Sequence, residues 1–540
     1  MVYCLQGKRV KTDKKLADEV ERMYRKTMPG QQKMEIPFGV ELDAENRWVK
    51  LAALMPWEKI EARYAKNFEG ASGQEAKSGR LAFASLYIQY RIDITDRETV
   101  DQIRENPSMQ YFCGFESYTT EIPFDPSLMV HFRKRISAEM VREIAEESFA
   151  AEARKAIEKE KSNDNDSKND DNDDGNGGDP EPKGTMLIDA TCCPSDIHFP
   201  TDIGLLNHAR ELLEAIISIL QIQLLALGYV KPRTYCLVAR KAYLAYARRR
   251  KHTSEETRAA IRQQLQYVRR DLDSIAKQVE IGADLGVLAH DLYKKLLVIS
   301  ELYRQQKLMF DENTHTVEDR IVSISQPYLR PIVRGKANAP VEFGAKVATA
   351  HIGGFTFVIH MGYDNFSEAQ FLKKSAEEYK RIFGFYPKVI IGDRAYATSD
   401  NRNYCKSKGI RLSAPKRGRK SEEIKEAERK QLYQDSCRRN AVEGDYGTGK
   451  RKYGLGLIMT KLYETTLTAI SFGFFVKNME RVLRLLVALI FDQLEYYGEY
   501  PRLHCPRFDC TRLFSKPYLA GLDRERQNLC PLQCRAGLLF

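Results

Sequence analysis

The chain has 540 residues, of which 43% are hydrophobic. That is too long for one ordinary core and enough for two to four domains. Its net charge is +11, yet Lys161–Pro180 (KSNDNDSKNDDNDDGNGGDP) alone contributes −5, so the rest carries +16, a balance that favours a polyanionic partner such as nucleic acid. The start, MVYCLQGKRVKTDKK, lacks the apolar core of a signal peptide. Ala215–Val230, broken by Ser218, Gln221 and Gln223, falls short of the roughly 20 apolar residues of a membrane helix. A soluble, cytoplasmic chain is expected, and eleven mostly scattered cysteines suit a reducing compartment.

Residues 36 to 150 read as largely helical, within an all-α N-terminal domain expected over 1–157. Asp125-Pro126-Ser127 stands before LMVHFRKRI, with Asp placed to cap and Pro to open a helix. Its later turns carry Arg133, Lys134 and Arg135, which suit either a DNA-docking helix or a solvated face. Residues 158–183 contain almost nothing apolar to bury and read as an acidic, disordered linker.

Thr185–Ala190 (TMLIDA) then reads as a short apolar strand interrupted by Asp189. Thr201–Tyr229 reads as an apolar helix, and Thr253–Glu256 (TSEE) as a capping box opening a helical region that runs to about Phe310. Cations such as Arg240, Lys241, Arg248 and Arg270 alternate there with Tyr243, Tyr246 and Tyr267, which suits a nucleic-acid backbone or a solvated helical hairpin. From about Arg320 the period shortens. RIVSI and VEFGAKVATAHIGGFTFVIHM read as strands, the latter folded at Gly353-Gly354. Ser367–Phe385 reads as a helix, and VIIGDRAYATSDN as a strand ending on Asp393. The pattern is α/β (α+β): a mixed sheet over 184–495, interrupted by a helical insertion at about 200–312.

Two strand-end aspartates that converge would repel each other unless a hard cation such as Mg²⁺ compensates them. A third carboxylate is supplied by CRRNAVEGDYGTGKRKYGLG, where Arg439, Glu443 and Lys450 fall on one helix face at i, i+4 and i+11. Gly444, Gly447 and Gly449 oppose that helix by about 1 kcal/mol each. In the 496–540 tail Cys505, Cys510, Cys530 and Cys534 are spaced C-x4-C-x19-C-x3-C, a looser pattern than ordinary zinc modules; a zinc site and unligated thiols both remain open.

The order Asp…Asp…Glu, with RxxxExxxxxxK around the last, resembles the DDE transposases of bacterial insertion sequences. The blocks LIDATCCPSDIHFPTDIGLLN, QPYLRPIVRGKANAPVEFGAK, GDRAYATSDNRNYCKSKGIRLSAPKRGR and RRNAVEGDYGTGKRKYGLG resemble their catalytic domain in order. RETVDQIRENPSMQYFCGF and FDPSLMVHFRKRI resemble their helical N-terminal domain. The resemblance implies an RNase H-like core in which Asp189, Asp393 and Glu443 are catalytic and bind two Mg²⁺ (or Mn²⁺) ions, Asp189 bridging them. It also implies phosphate contacts from Arg439 and Lys450. Lys416, Arg417, Arg419 and Lys420 are further candidates for the same role, and Arg133–Arg135 for contacts that choose the ends. Double-stranded DNA, both element ends and target, is then the partner. The protein would act as a dimer or higher oligomer, nucleoid-associated, cleaving and transferring strands. One departure is Ser436, where the family pattern has tyrosine. An RNase H-like nuclease or resolvase without strand transfer, and a non-catalytic transposase-derived DNA-binding protein, are the alternatives.

Overall fold

Apolar stripes on the N-terminal helices converge on a cluster of aromatic rings. The computed structural model describes residues 41–68, 75–164, 180–336, 339–414 and 422–496, and most of the acidic linker lies outside them. Helices α1 (Arg47–Leu54), α2 (Trp57–Ala65), α3 (Gly79–Ile92), α4 (Asp96–Glu105), α5 (Pro107–Cys113), α6 (Leu128–Arg135) and α7 (Ala138–Asp164) come first. Side chains of Asn46, Ser78, Thr95 and Asn106 cap four of them. Phe112 meets Trp48, Trp57 and Tyr87 with ring centroids 5.3–5.5 Å apart. At ~1.5–3 kcal/mol for each large apolar side chain removed from water, such a cluster dominates the stability of these short helices.

The expected Asp125 cap is displaced. Asp125 accepts from the Ser127 amide within a turn, so α6 starts only at Leu128 with Ser127 at its N-cap. The carboxylate is used two residues too early to cap the helix.

The sheet begins with β1 (Thr185–Pro194). A helical insertion follows: α8 (Asp202–Leu224), α9 (Cys236–Ala247), α10 (Ser254–Ile281) and α11 (His290–Asp311). Then come β2 (Pro331–Lys336), β3 (Ala339–Ile352), β4 (Phe355–Gly362), α12 (Phe371–Phe383), β5 (Val389–Ile391), α13 (Ser399–Ser407), β6 (Arg411–Leu412), α14 (Glu422–Lys452) and α15 (Tyr463–Tyr496). Through its second half β3 lies between β4 and β1, antiparallel to both, and β5 and β6 continue in parallel from the other side of β1; β2 pairs with the first half of β3. This is the mixed α/β class read from the sequence, a mixed sheet flanked by helices with a large helical insertion. The Gly353-Gly354 turn is as expected, both glycines at positive φ.

Alternation sorts the faces. Thr349 and Thr356 point to α14, while Phe357 packs on Phe383 of α12 on the other side. Helix α15 joins the sheet to the N-terminal helices: Phe472 and Phe475 pack on Phe83, and Glu480 pairs with Arg91 at 2.5 Å. This packing belongs to one unit ending at Leu483; a second unit starts at Arg484. No helix among the described residues is long and apolar enough to cross a membrane.

RIVSI departs from expectation, because residues 320–324 form no strand. Ile321 and Ile324 enter the insertion's core, whereas Val322 enters the core beneath the sheet. The short apolar run belongs to a segment held between two cores, without the pleat of a paired strand.

The insertion has its own core, built from Leu213, Ile217 and Leu220 of α8, Val268 and Ile275 of α10 and Ile299 and Leu302 of α11. The expected capping box is present, Thr253 and Glu256 each bonding the other's backbone amide. Asp271 is buried here, 2% exposed, and burial together with the charge of Glu214 pushes its carboxyl up to about 7. A folded-state pKa above the unfolded value means that the contribution is fully present below about pH 4 and is lost as pH rises through about 7. Asp271→Asn is therefore expected to be more stable than wild type at pH 8, by up to a few kcal/mol, and so to melt higher, with the difference narrowing towards pH 5. Thermal unfolding at the two pH values checks this.

Candidate active site

The site forms where β1 and β5 run side by side in parallel. Leu187 of β1 pairs with Ile391 of β5. Two residues on from that pair lie Asp189, in the middle of β1, and Asp393, just past the last residue of β5, the two strands being neighbours normally about 4.8 Å apart. Strand β5 then ends, and Asp393 caps a single 3₁₀ turn over Arg394–Tyr396, its Oδ1 accepting from the Arg394 amide at 2.6 Å. Gly392 permits this turn: a Cβ there would lie 2.9 Å from both Ile188 Cγ1 and Tyr396 Cδ2.

Glu443 arrives on α14, which runs unbroken through Gly444, Gly447 and Gly449 to Lys452. The expected glycine penalty is outweighed by packing. Val442 and Tyr446, on the inner side, join the core under the sheet, against which Leu187 of β1 also packs. Gly449 further allows close contact, since a Cβ there would lie 2.9 Å from Leu455 Cδ1. Lys450, two turns from Glu443, keeps the same face of the helix about 10 Å along the axis and is half-buried.

Arg439 joins the carboxylates. Its guanidinium lies 3.3 Å from Asp393 Oδ1 and 3.9 Å from Glu443 Oε1, so one cation spans the gap between them. Both acids remain open to solvent, with side chains 48% and 67% exposed. Asp189 is half-buried and accepts from the Ala190 amide. Asp189 and Asp393 both act on the buried Tyr396, whose hydroxyl is pushed up by burial and then by the charges of Glu368, Asp189 and Asp393. The buried Tyr446 hydroxyl, 2.6 Å from Thr349 Oγ1, is raised by burial and by Asp189. Both tyrosines stay protonated at any working pH.

The donor set consists of oxygens only, carboxylates at one sheet end with open faces, which fits a hard divalent cation better than zinc or copper. Among the described residues no three acidic, His or Cys side chains are already drawn into a metal cage, and Arg439 stands between two of the acids.

Behind Glu443 lies a network that the sequence reading missed. Asp445 follows two residues later, about 200° around the helix, and so points inward. Its Oδ2 accepts from Lys477 Nζ of α15, from Thr356 Oγ1 of β4 at 3.0 Å, and lies 3.1 Å from His351 Nδ1 of β3. The i+2 offset within VEGDYG was the available signal, but its partners are dispersed over more than a hundred residues. Glu368 was also missed. It lies 3.1 Å from Lys346 beside the same cluster.

The N-terminal basic helix corrects one expectation. Arg133 is 5% exposed, and its guanidinium binds Asp96 at 2.6 Å and Gln89 at 3.0 Å, so it holds α6 to its neighbours and is not offered to DNA. Helical phase turns it inward beside Phe132 and Ile136. Lys134 is exposed; Arg135 is half-buried with its guanidinium 4.9 Å from the Phe68 ring. Ser436 is exposed on α14. Lys416, Arg417, Arg419 and Lys420, and the four tail cysteines, lie outside the described residues.

Residues 390–480, which include Asp393, Glu443 and the helix between, match a family model described as "Transposase DDE domain". Residues 38–135 match "Transposase domain (DUF772)", covering α1 to α6. A Rhizobium meliloti protein named "Uncharacterized protein ORF8 in nfe locus" is 29% identical over 165 residues, which are 31% of this chain and 70% of that protein. No solved structure matches the chain. A helical transposase domain followed by a DDE domain on a mixed sheet defines the class as a transposase. Its two matched segments are similar to transposase domains, the second of them to the DDE type.

Proposed function

We propose that this transposase binds the terminal repeats of its element, then cleaves and transfers DNA strands at a site formed by Asp189, Asp393 and Glu443. The observation that supports the reading is the parallel pairing of Leu187 with Ile391, two residues before Asp189 and Asp393, together with Arg439, which lies between Asp393 and Glu443. Isolated acids beside strands are ordinary; two on neighbouring strands, with a third reached through a shared cation, gain nothing in stability and suit phosphoryl transfer.

Two divalent ions, Mg²⁺ or Mn²⁺, held by the three carboxylates, would supply activation of the attacking oxygen and stabilisation of the leaving one. The chain's own residues do the remainder. Arg439 offsets the repulsion between Asp393 and Glu443 and has further N–H donors for a phosphate. Lys450 extends the cationic face about two turns along the strand of DNA backbone held on α14. Tyr396 and Tyr446, held protonated, wall the site on its inner side and limit the water behind the acids. Lys134 and Arg135 would contribute salt-sensitive contacts from the N-terminal helices, where element ends are recognised.

Incubating the protein with duplex DNA from the flanks of its own coding sequence, with Mg²⁺, is expected to give nicks at the element's 3′ ends and then products joined to target DNA. Nicks without joined products would make it a nuclease or resolvase. Binding without nicks would make it a non-catalytic DNA-binding protein.

A further inference from the structure

The insertion carries a charged surface on residues that play no part in the carboxylate site. From Lys231 to Lys251 there are eight Lys and Arg residues and no Asp or Glu. Helix α9 lies within this run, packed on α8 and α10, and only Ala239 of its side chains is buried. Its inner side is pinned. Tyr246 stacks on His252 at 3.7 Å, and its hydroxyl lies 2.9 Å from Thr257 Oγ1 at the start of α10. The entry is fixed as well, with Tyr235 at φ 56° and the guanidiniums of Arg233 and Arg270 each 4.7 Å from its ring.

The outer side is what a helix ordinarily hides or neutralises. Leu237, Arg240, Lys241, Leu244 and Arg248 recur at i, i+3, i+4, i+7 and i+11, on one face, and all five are exposed. Arg249 pairs with Glu256 at 3.0 Å. Arg240, Lys241 and Arg248 have no acidic partner among the described residues. Like charges this close repel one another until a polyanion neutralises them. Their repulsion also disfavours a second copy of the same face. The two leucines stand among the cations, without the segregated apolar face of a helix that lies in a membrane. Duplex DNA satisfies both features, since phosphates meet the cations while sugars and thymine methyls offer apolar contact to the leucines.

Position matters too. Helix α8 is rooted beside the sheet, where Asp202 accepts from Arg320 at 2.7 Å and from Gln306 at 2.9 Å. Helix α9 runs back towards that root, since Tyr246 near its end meets Thr257 at the start of α10, and the neighbouring Arg258 bonds Phe310 O and Asn313 at the end of α11. We infer that α9 is a phosphodiester-binding arm that grips duplex DNA without regard to sequence, through residues separate from the carboxylates. This rests on the reading of the chain as an enzyme acting on DNA.

The test uses the full chain carrying Arg240→Ala, Lys241→Ala and Arg248→Ala together, and a 40-bp fluorescent duplex of unrelated sequence without Mg²⁺. Since log K falls by about 0.9 per phosphate contact for each unit of log salt, the slope is expected to become shallower by about 2–3, and binding at low salt to weaken at least tenfold. Exposed positions leave the melting temperature unchanged, which separates lost contact from lost fold. An unchanged slope in the folded variant overturns the arm. So does a change of oligomeric state in Leu237→Ser, Leu244→Ser protein with the slope intact, which would make the face a protein-docking surface. Because no cleavage is read, failure of the nicking assay sinks the active-site proposal without touching this one, and the reverse holds.

Discussion

Asp393→Asn is expected to reduce strand cleavage by about 10³-fold or more while leaving binding to element ends within a fewfold of wild type. The substitution keeps the shape and removes one charge from the pair that Arg439 spans. Asp189→Ala and Glu443→Ala are expected to behave alike, because the three acids act as one unit whose losses do not add. Two measurements separate this from damage to the fold. Mg²⁺ binding followed by calorimetry is expected to be lost with cleavage, and the melting temperature should hold, since Asp393 and Glu443 are largely solvent-exposed. Nicking at a normal rate by any of the three variants would remove the assignment.

The second large effect concerns stability. Asp445→Ala leaves Lys477, whose side chain is 5% exposed, without its carboxylate. Breaking a buried pair by deleting one partner costs about 3–5 kcal/mol, since the desolvation penalty of the remaining charge is no longer met. A fall in melting temperature of roughly 3–5 °C is expected, along with slower cleavage, because the same carboxylate fixes α14 against β3, β4 and α15 and so aims Glu443. Asp445→Ala with Lys477→Met is expected to recover most of the stability, because no uncompensated charge then stays buried. Burial would raise the Asp445 carboxyl, but the His351 hydrogen bond and the Lys477 charge more than reverse this and hold it well below the usual range. A depressed folded pKa contributes stability above the unfolded value of about 4, lost only as pH falls further, so the variant's deficit should be flat from pH 5 to 8 and narrow in stronger acid.

Much of this was legible in the chain itself. Both aspartates stood out as charges within or after short apolar runs, and Glu443 through its helical spacing to Arg439 and Lys450, but Asp189 proves to lie in mid-strand, because pairing with β3 carries β1 on to Pro194. Propensity misled in two places. Three glycines argued for a broken α14, yet Val442 and Tyr446 anchor its inner side well enough to carry it through. The apolar run RIVSI argued for a strand, yet it records two cores on either side of an irregular segment. Arg133 could not be told from Lys134 by composition, since both are cations on one short helix; only the phase of α6 against Asp96 and Gln89 hides one and exposes the other.

The sequence by itself determined the mixed class and marked three candidate acids, because local charge and periodicity are written along the chain. What only tertiary structure decided was their meeting. The parallel pairing of β1 with β5 just before Asp189 and Asp393, the guanidinium between Asp393 and Glu443, and the inward network on Asp445 depend on contacts between residues up to two hundred positions apart. Such contacts leave no local pattern, because they are selected by packing geometry once the sheet and helices have formed.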